Sequence, residues 1–311
     1  MKSLLILGGS GFVGKTILDA FLNEKINKFK INKLIIVSRN PKILKKEFNI
    51  RNNIDLTLKK IDLFKTSKLP LADYVIHAAE KTASDSNDKD LFGKYHQLTK
   101  KICDYYSKHK NIKFLYLSSG AVYGKMSYKK KPKETDKVNF KNLKNPKKEY
   151  SKNKIKSEKY LLKKFNKDKI IIARLFSFIG KHLPRKGSYA IGDFLNSIEK
   201  SKSLIIKSKN SKKTYRSFLF SDDLVNCLMM LLVNKNVSKK PIYNIGSQKQ
   251  ISIFDLTKKI SKDYNLLIDK KEKIQTGLLD YYVPNIQKFK KNYTNVSFTN
   301  IRESIVKSIN Y

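Results

Sequence analysis

The stretch LLILGGSGFVGKTI, residues 4–17, fits two phosphate-binding patterns, and the choice between them decides the fold. Counted from Gly9 it is G-x-x-x-x-G-K-T, the loop that wraps a nucleoside triphosphate and its magnesium. Counted from Gly8 it is G-x-x-G-x-x-G, a dinucleotide turn. A triphosphate loop needs small residues or bare backbone around the phosphates and a later strand ending in an acid for the metal. Phe12 and Val13 sit inside this loop, and the next apolar run, KLIIVSRN at 33–40, ends in Ser38 and Arg39. The dinucleotide reading accommodates all of them. Gly8 permits a tight turn that includes Ser10, and Gly11 lets the backbone approach a pyrophosphate. Gly14 lets the helix begun by Phe12 and Val13 pack closely on the strand.

The end of the second strand then bears on the cofactor. An acid there would bond the adenine ribose and select NAD, whereas an arginine pairs with the extra phosphate of NADP. Arg39 is one of only six arginines among 67 basic residues. NADP is favoured on this ground, and NAD stays open.

Around this segment the chain reads as a globular protein. Its 311 residues are 40% hydrophobic, with 17 Tyr and 17 Phe as bulky core material. No apolar run reaches the ~20 residues that span a bilayer, and MKSLLILGG lacks the apolar length and cleavage site of a signal peptide. Cys103 and Cys227 lie far apart, and His77, His96, His109 and His182 share no ligand spacing. The expectation is a cytoplasmic protein with neither disulfide nor metal. The net charge of +41 is almost all lysine, scattered through every segment beside abundant Asn and Ile. It reads as a compositional bias rather than a specific nucleic-acid face. The densest runs, YKKKPK at 128–133 and KNLKNPKK at 141–148, read as a solvated loop or as a funnel for substrate phosphate.

Short apolar runs alternating with helical periodicity predict an α/β fold, a doubly wound parallel sheet covered on both faces. Strands are expected at 3–7, 33–37, 54–59, 73–78, 112–118 and 169–175, with helices near 13–24, 89–109 and 149–165. Beyond about 176 the pattern changes. A helix to about 200, strands at 204–207 and 215–220, a helix at 222–233, a strand at 241–246 and a helix near 252–262 suggest a smaller region built onto the sheet.

Two further stretches carry chemistry: FLYLSSGAVYG at 114–124 and EYSKNKIKSE at 149–158. Tyr150 and Lys154 are four apart and share one helix face. An ammonium beside a phenol favours phenolate, bringing a pKa of about 10 toward neutrality, so the tyrosine can exchange a proton. Ser119, at a strand end, can hydrogen-bond the same substrate oxygen. The order is what gives the pattern weight: glycine turn, then serine, then Tyr-x-x-x-Lys.

With these in order, the sequence resembles the extended short-chain dehydrogenase/reductase family, in its sugar-nucleotide epimerase, dehydratase and ketoreductase branch, from residue 3 to about 290. The resemblance rests on GGSGFVG at 8–14, KKIDLF at 59–64, ADYVIHAAE at 72–80, the Ser119, Tyr150 and Lys154 set, ARLFSFIGK at 173–181, YRSFLFSDDL at 215–224 and PIYNIGSQKQISIFDL at 241–256. It implies a Rossmann-like NAD(P)-binding domain at 1–175, completed by about 219–247, and a substrate-binding region at 176–218 and 248–311. It implies Asp62 and Leu63 at the adenine and His77, Ala78, Ala79 and Phe176 along the cofactor. Lys154 would hold the nicotinamide ribose. Ser119, Ser177 and Arg216 would bind substrate, Arg216 at its diphosphate.

The implied activity is hydride exchange with a nucleotide-activated sugar, commonly at C4, with Tyr150 moving the hydroxyl proton. Departures from the family narrow this. The dehydratases' Asp-Glu pair is replaced by Gly120 and Ala121, which argues against dehydration, and an Asn of the preceding helix is replaced by Tyr95. Ser38 and Arg39 suit an exchangeable NADPH and reduction of a 4-keto-(6-deoxy)hexose. A 4-epimerase with retained NAD and a non-catalytic dinucleotide-binding protein stay as alternatives. A homodimer through paired helices is compatible with the family.

Overall fold

The computed structural model describes residues 2–51, 53–81, 90–126, 130–136, 143, 146–185, 189–207, 210–234, 240–270, 279–294 and 296–309. The basic runs at 128–133 and 141–148 fall partly outside them. In chain order the first elements are β1 (Lys2–Leu7), α1 (Phe12–Leu22), β2 (Ile31–Ser38), α2 (Pro41–Glu47), β3 (Leu56–Lys60), β4 (Tyr74–His77), α3 (Leu91–Tyr106), β5 (Lys113–Ser119), α4 (Lys147–Lys164) and β6 (Ile170–Leu175). There follow β7 (Phe178–Ile179), α5 (Ala190–Glu199), β8 (Leu204–Ile206), β9 (Thr214–Ser217), β10 (Leu219–Phe220), α6 (Ser221–Val233) and β11 (Ile242–Ile245). The last are β12 (Gln250–Ser252), α7 (Ile253–Tyr264), β13 (Ile268–Lys270), β14 (Asp280–Tyr282), α8 (Gln287–Asn292) and α9 (Ile301–Ile309).

These elements form two compact units, one of residues 1–122, 144–174 and 225–243, the other of 123–143, 175–224 and 244–311. The first unit holds a seven-stranded sheet in the order β11-β6-β5-β4-β1-β2-β3. β1 pairs in parallel with β2 on one side and β4 on the other, Leu7 lying beside both Val37 and His77. The chain winds outward in one direction from β1 and in the other from β4, so the carboxyl ends of those two strands flank the topological switch point. The strands are near-continuous apolar runs because helices cover both faces: Leu4 to Leu7 of β1 and all of β6 are buried.

The expected strands and helices of this unit are present with small shifts that have local causes. β3 starts at Leu56 rather than 54, because the Asn53 side chain accepts the Asp55 N–H and turns the backbone, leaving Ile54 95% exposed. The short helix α2, not anticipated, begins at Pro41, whose missing N–H costs nothing at a first helical position.

In the second unit the run expected as one strand at 215–220 breaks at Phe218. β9 pairs antiparallel with β12 and parallel with β14, whereas β10 pairs with β7. β7, β12, β13 and β14 are two to three residues long and carry too little periodicity to be read. Among the described residues no helix is long and apolar enough to cross a membrane.

Candidate active site

The glycine turn after β1 is held by two N–H groups, of Gly8 and Gly9, donating to the Val37 carbonyl. Gly8 has φ +96°, and a Cβ there would lie 2.6 Å from the Ala79 Cα. A Cβ on Gly14 would lie 2.5 Å from Gly9 Cα, which is why α1 can press against the turn only with glycine there. Gly9 itself, which the dinucleotide pattern leaves unconstrained, is the tightest, its Cβ reaching within 2.0 Å of the Ile36 side chain. Gly11 differs: a Cβ there would meet only the Gly8 carbonyl at 3.6 Å. It is the N-cap of α1, no side chain caps the helix, and no acid stands in its first turn. The helix dipole favours an anion at this end.

The triphosphate alternative fails on side-chain direction. Lys15 ion-pairs with Glu47 at 2.6 Å, and the buried Thr16 hydroxyl donates to the Phe12 carbonyl. Neither is turned toward phosphates or magnesium.

At the end of β2, Ser38 is buried and its Oγ accepts the Asn40 N–H. Arg39 is exposed and makes no hydrogen bond or ion pair among the described residues. After β3, Asp62 is tied locally, its carboxylate accepting the Phe64 N–H, and Leu63 is buried.

The carboxyl end of β4 opens a buried polar network. Ala78 N–H donates to the Leu7 carbonyl, and Ala79 N–H to His77 Nδ1, which places the ring proton on Nε2 facing Thr99 Oγ1 at 2.9 Å. Thr99 in turn donates to Glu80 Oε1 at 2.7 Å, as does the Tyr116 hydroxyl at 2.9 Å. The other carboxylate oxygen of Glu80 meets Lys154 Nζ at 2.9 Å. Burial lowers the His77 pKa to about 4, so the ring is neutral at physiological pH. Burial, the largest influence, would raise Glu80, but the Lys154 ammonium, the polarity of His77 and the hydrogen bonds from Lys154 and Thr99 together hold the carboxyl below its usual range.

Lys154 is 4% exposed, and its ammonium also donates to the Leu117 carbonyl at 2.7 Å. It lies 4.7 Å from the Tyr116 ring centre and 5.8 Å from that of Tyr150. An ammonium has three N–H groups. Two are engaged by Glu80 and Leu117. Tyr150, one turn before Lys154 on α4, is buried edge-on against Phe92 at 5.4 Å. Ser119 ends β5, its Oγ accepting the Ala121 N–H at 3.1 Å, while Ser151 anchors the same turn by donating to the Ala121 carbonyl. His77, Ala78, Ala79, Ser119, Tyr150 and Lys154 thus stand on β4, β5 and α4, or just beyond β4, all in one unit.

Phe176, Ser177 and Arg216 belong to the second unit. Phe176 is buried against Tyr282 at 4.8 Å, with Gly246 at its Cβ, and its N–H donates to the Ile245 carbonyl. Ser177 is half-buried, its carbonyl accepting the Leu219 N–H. Arg216 Nη2 pairs with Asp280 at 2.7 Å across β9 and β14, on a partly exposed edge.

Sequence reading missed Glu80, Thr99 and Tyr116, and the buried pair behind them, Glu158 and Arg174. In that pair Ser118 and the guanidinium both bond the Glu158 carboxylate, with Arg174 Nη2 at 2.6 Å. Signals were available. Glu80 closes the quoted ADYVIHAAE, and Arg174 is a rare arginine inside an otherwise apolar strand. Among the described residues no group of three or more His, Cys, Asp or Glu is placed to hold a metal ion.

An open parallel sheet with a glycine turn at its switch point and an uncapped helix behind it defines an α/β protein of the doubly wound class. The sequence model of the NAD dependent epimerase/dehydratase family matches residues 4–246, and the chain belongs to that family. A dTDP-D-glucose 4,6-dehydratase of Dictyostelium discoideum is 28% identical over 288 residues, covering 84% of this chain but 62% of that protein, so the chain spans less than two thirds of its length. Among solved structures, the dTDP-glucose 4,6-dehydratase of Bacillus anthracis in complex with NAD superposes with a TM-score of 0.78 at 16% identity, over 100% of this chain and 96% of that one. The UDP-glucuronic acid 4-epimerase of Bacillus cereus, in complex with UDP-glucuronic acid and NAD, gives 0.76 at 21% identity over 99% and 98%.

Proposed function

We propose that the protein is an NADP-linked oxidoreductase that reduces a 4-keto-(6-deoxy)hexose carried on a nucleoside diphosphate. The observation that carries this over other family chemistries is the pairing of a buried Ser38 with an exposed, uncommitted Arg39 at the end of β2. A cation there suits the 2′-phosphate of an exchangeable cofactor, and no carboxylate stands in Ser38 or Arg39 to hold the two ribose hydroxyls.

In this reading the first-turn N–H groups of α1, beside Gly8, Ser10, Gly11 and Gly14, take the pyrophosphate. Asp62 and Leu63 border the adenine, His77, Ala78, Ala79 and Phe176 line the cofactor, and Lys154 holds a ribose hydroxyl. The cofactor supplies hydride. Tyr150 gives its phenolic proton to the oxygen of the carbonyl being reduced, and Ser119 hydrogen-bonds that oxygen. Arg216, with Ser177, binds the substrate, exchanging its half-exposed Asp280 partner for the diphosphate at small cost. Gly120 and Ala121, following Ser119, provide no carboxylate for water elimination. A cytoplasmic homodimer is the expected form.

A second reading, a 4-epimerase with retained NAD, is supported by the Bacillus cereus epimerase among the structural neighbours. The test is turnover of a panel of nucleotide sugars, 4-keto-6-deoxy forms included, with NADPH or NADH, following cofactor absorbance and product mass together. Stoichiometric cofactor loss with a two-hydrogen mass gain, abolished in Tyr150→Phe, is expected. Product of unchanged mass with no cofactor consumed would replace the reductase by the epimerase.

A further inference from the structure

Behind the Tyr150 and Lys154 pair lies a carboxylate that the proposed chemistry does not touch. Glu80 stands three residues beyond His77 at the carboxyl end of β4, and its position is over-determined. One oxygen accepts two hydroxyls from different elements, Thr99 of α3 and Tyr116 of β5, which fixes the carboxylate and leaves the other oxygen to Lys154. The Lys154 ammonium is thereby drawn between Glu80 and the Leu117 carbonyl. At Tyr95, where an Asn would stand in the family it resembles, the ring packs on Phe64 at 5.5 Å. The polar orientation of Lys154 comes from β4 and β5.

We propose that Glu80 is the positioning residue of the proton-transfer pair: it aims the Lys154 ammonium and supplies the compensating negative charge that sets where Tyr150 ionises. The inference rests on the reading of Tyr150 and Lys154 as that pair.

Geometry alone gives the sign. With Lys154 Nζ 5.8 Å from the Tyr150 ring centre and Glu80 2.9 Å beyond at the most, the carboxylate lies within about 9 Å of the phenol. At an effective dielectric of about 20, one negative charge at that distance opposes a second by about one pH unit. The titratable groups facing Glu80 are His77 from β4, His96 from α3, Tyr116 from β5 and Lys154 from α4, with Tyr150 beyond Lys154. Burial lowers the pKa of both histidines, and that of Tyr116 stands well above its ordinary value, so Lys154 and Glu80 are the charged pair between them. Without Glu80 the ammonium faces the phenol uncompensated, and the Lys154 and Tyr150 pair gives up its first proton at lower pH.

The test is an ultraviolet difference titration of the phenolate, each protein against the same protein carrying Tyr150→Phe, with NADPH affinity measured by fluorescence alongside. Neither readout requires turnover, so a wrong substrate assignment leaves them intact and the two ideas fail separately. Glu80→Gln is expected to move the Tyr150 titration down by about one unit and to weaken NADPH several-fold as Lys154 loses its aim. Glu80→Asp keeps the charge but withdraws it by one methylene, so cofactor affinity falls while most of the titration is retained. An unshifted phenolate titration in a folded Glu80→Gln protein overturns the proposal. If Glu80→Gln does not fold, Glu80→Asp decides alone: unchanged NADPH affinity overturns the positioning role, and weakened affinity with a near wild-type titration supports it.

Discussion

Two glycines of the turn at residues 8–14, Gly14 and Gly11, make separable predictions, one on stability and one on binding. In Gly14→Ala the new methyl would lie 2.5 Å from Gly9 Cα and carbonyl oxygen, both backbone atoms in a turn pinned to the Val37 carbonyl. Relief requires α1 to move outward by about an ångström, and overpacking of this kind costs about 1–3 kcal/mol or more. Alanine returns about 1 kcal/mol of helix propensity, so from the upper end of that range, which two backbone contacts at 2.5 Å warrant, a net loss near 2 kcal/mol is expected. That lowers the melting temperature by about 4–8 °C for a body of this size.

In Gly11→Ala the methyl meets only the Gly8 carbonyl at 3.6 Å, and φ −78°, ψ 171° suits any residue. Loss of a favourable N-cap residue is offset by the stiffer unfolded chain, so stability should stay within about 0.5 kcal/mol of wild type. The methyl does stand beside the first-turn N–H groups, however, and NADPH affinity should fall at least about tenfold, or 1.4 kcal/mol. Thermal melts and fluorescence titrations on both variants suffice. A Gly14→Ala protein as stable as wild type would refute the close-packing argument, and a Gly11→Ala protein with undiminished cofactor affinity would refute the placement of the pyrophosphate.

Three further outcomes are expected. His77 has its pKa lowered from 6.5 to about 4 by burial, so below pH 6.5 the unfolded chain takes up a proton that the folded one refuses. Stability should fall by about 3 kcal/mol between pH 6.5 and 4, and denaturant melts of His77→Gln should show that slope reduced. Glu158→Gln leaves the buried Arg174 guanidinium without its counter-charge and should cost about 3–5 kcal/mol in urea unfolding, whereas pairing Glu158→Leu with Arg174→Met should restore most of it. Arg39→Ala should weaken NADPH by about tenfold or more and leave NADH within about twofold, because only NADPH carries the phosphate that the guanidinium would pair with. Equal effects on both cofactors would remove the basis for preferring NADP.

The sheet was legible because buried parallel strands are written as unbroken apolar runs, LLIL at 4–7 and IIIARL at 170–175 among them. The glycine spacing was legible because backbone clashes admit no other residue at Gly8 and Gly14, whereas Gly9, which the dinucleotide pattern leaves open, is crowded by the Ile36 side chain. Tyr150 and Lys154 could be paired from helical spacing taken together with the order of glycine turn, serine and Tyr-x-x-x-Lys. Their setting could not: Glu80, Thr99 and Tyr116 come from three elements separated by up to 36 residues, and only the sheet order brings them together. Of the short strands of the second unit, β8 was read, but β7, β12, β13 and β14 were illegible for the opposite reason. Two or three residues hold less than one full alternation, and what defines them is their partner.

The seventh strand of the sheet has a consequence for how the protein is made. β11 is Ile242–Ile245, and it completes an edge whose neighbour, β6, is Ile-rich and wholly buried. Everything translated between them from Leu175 to Leu224 belongs to the other unit. On the ribosome, therefore, the apolar edge of β6 waits unpaired while some fifty residues of other structure emerge, which is the interval in which such an edge recruits foreign strands. A nascent chain interrupted in that interval is expected to be an aggregation seed, and the demand for chaperone protection should peak there and fall once Ile245 has cleared the exit tunnel.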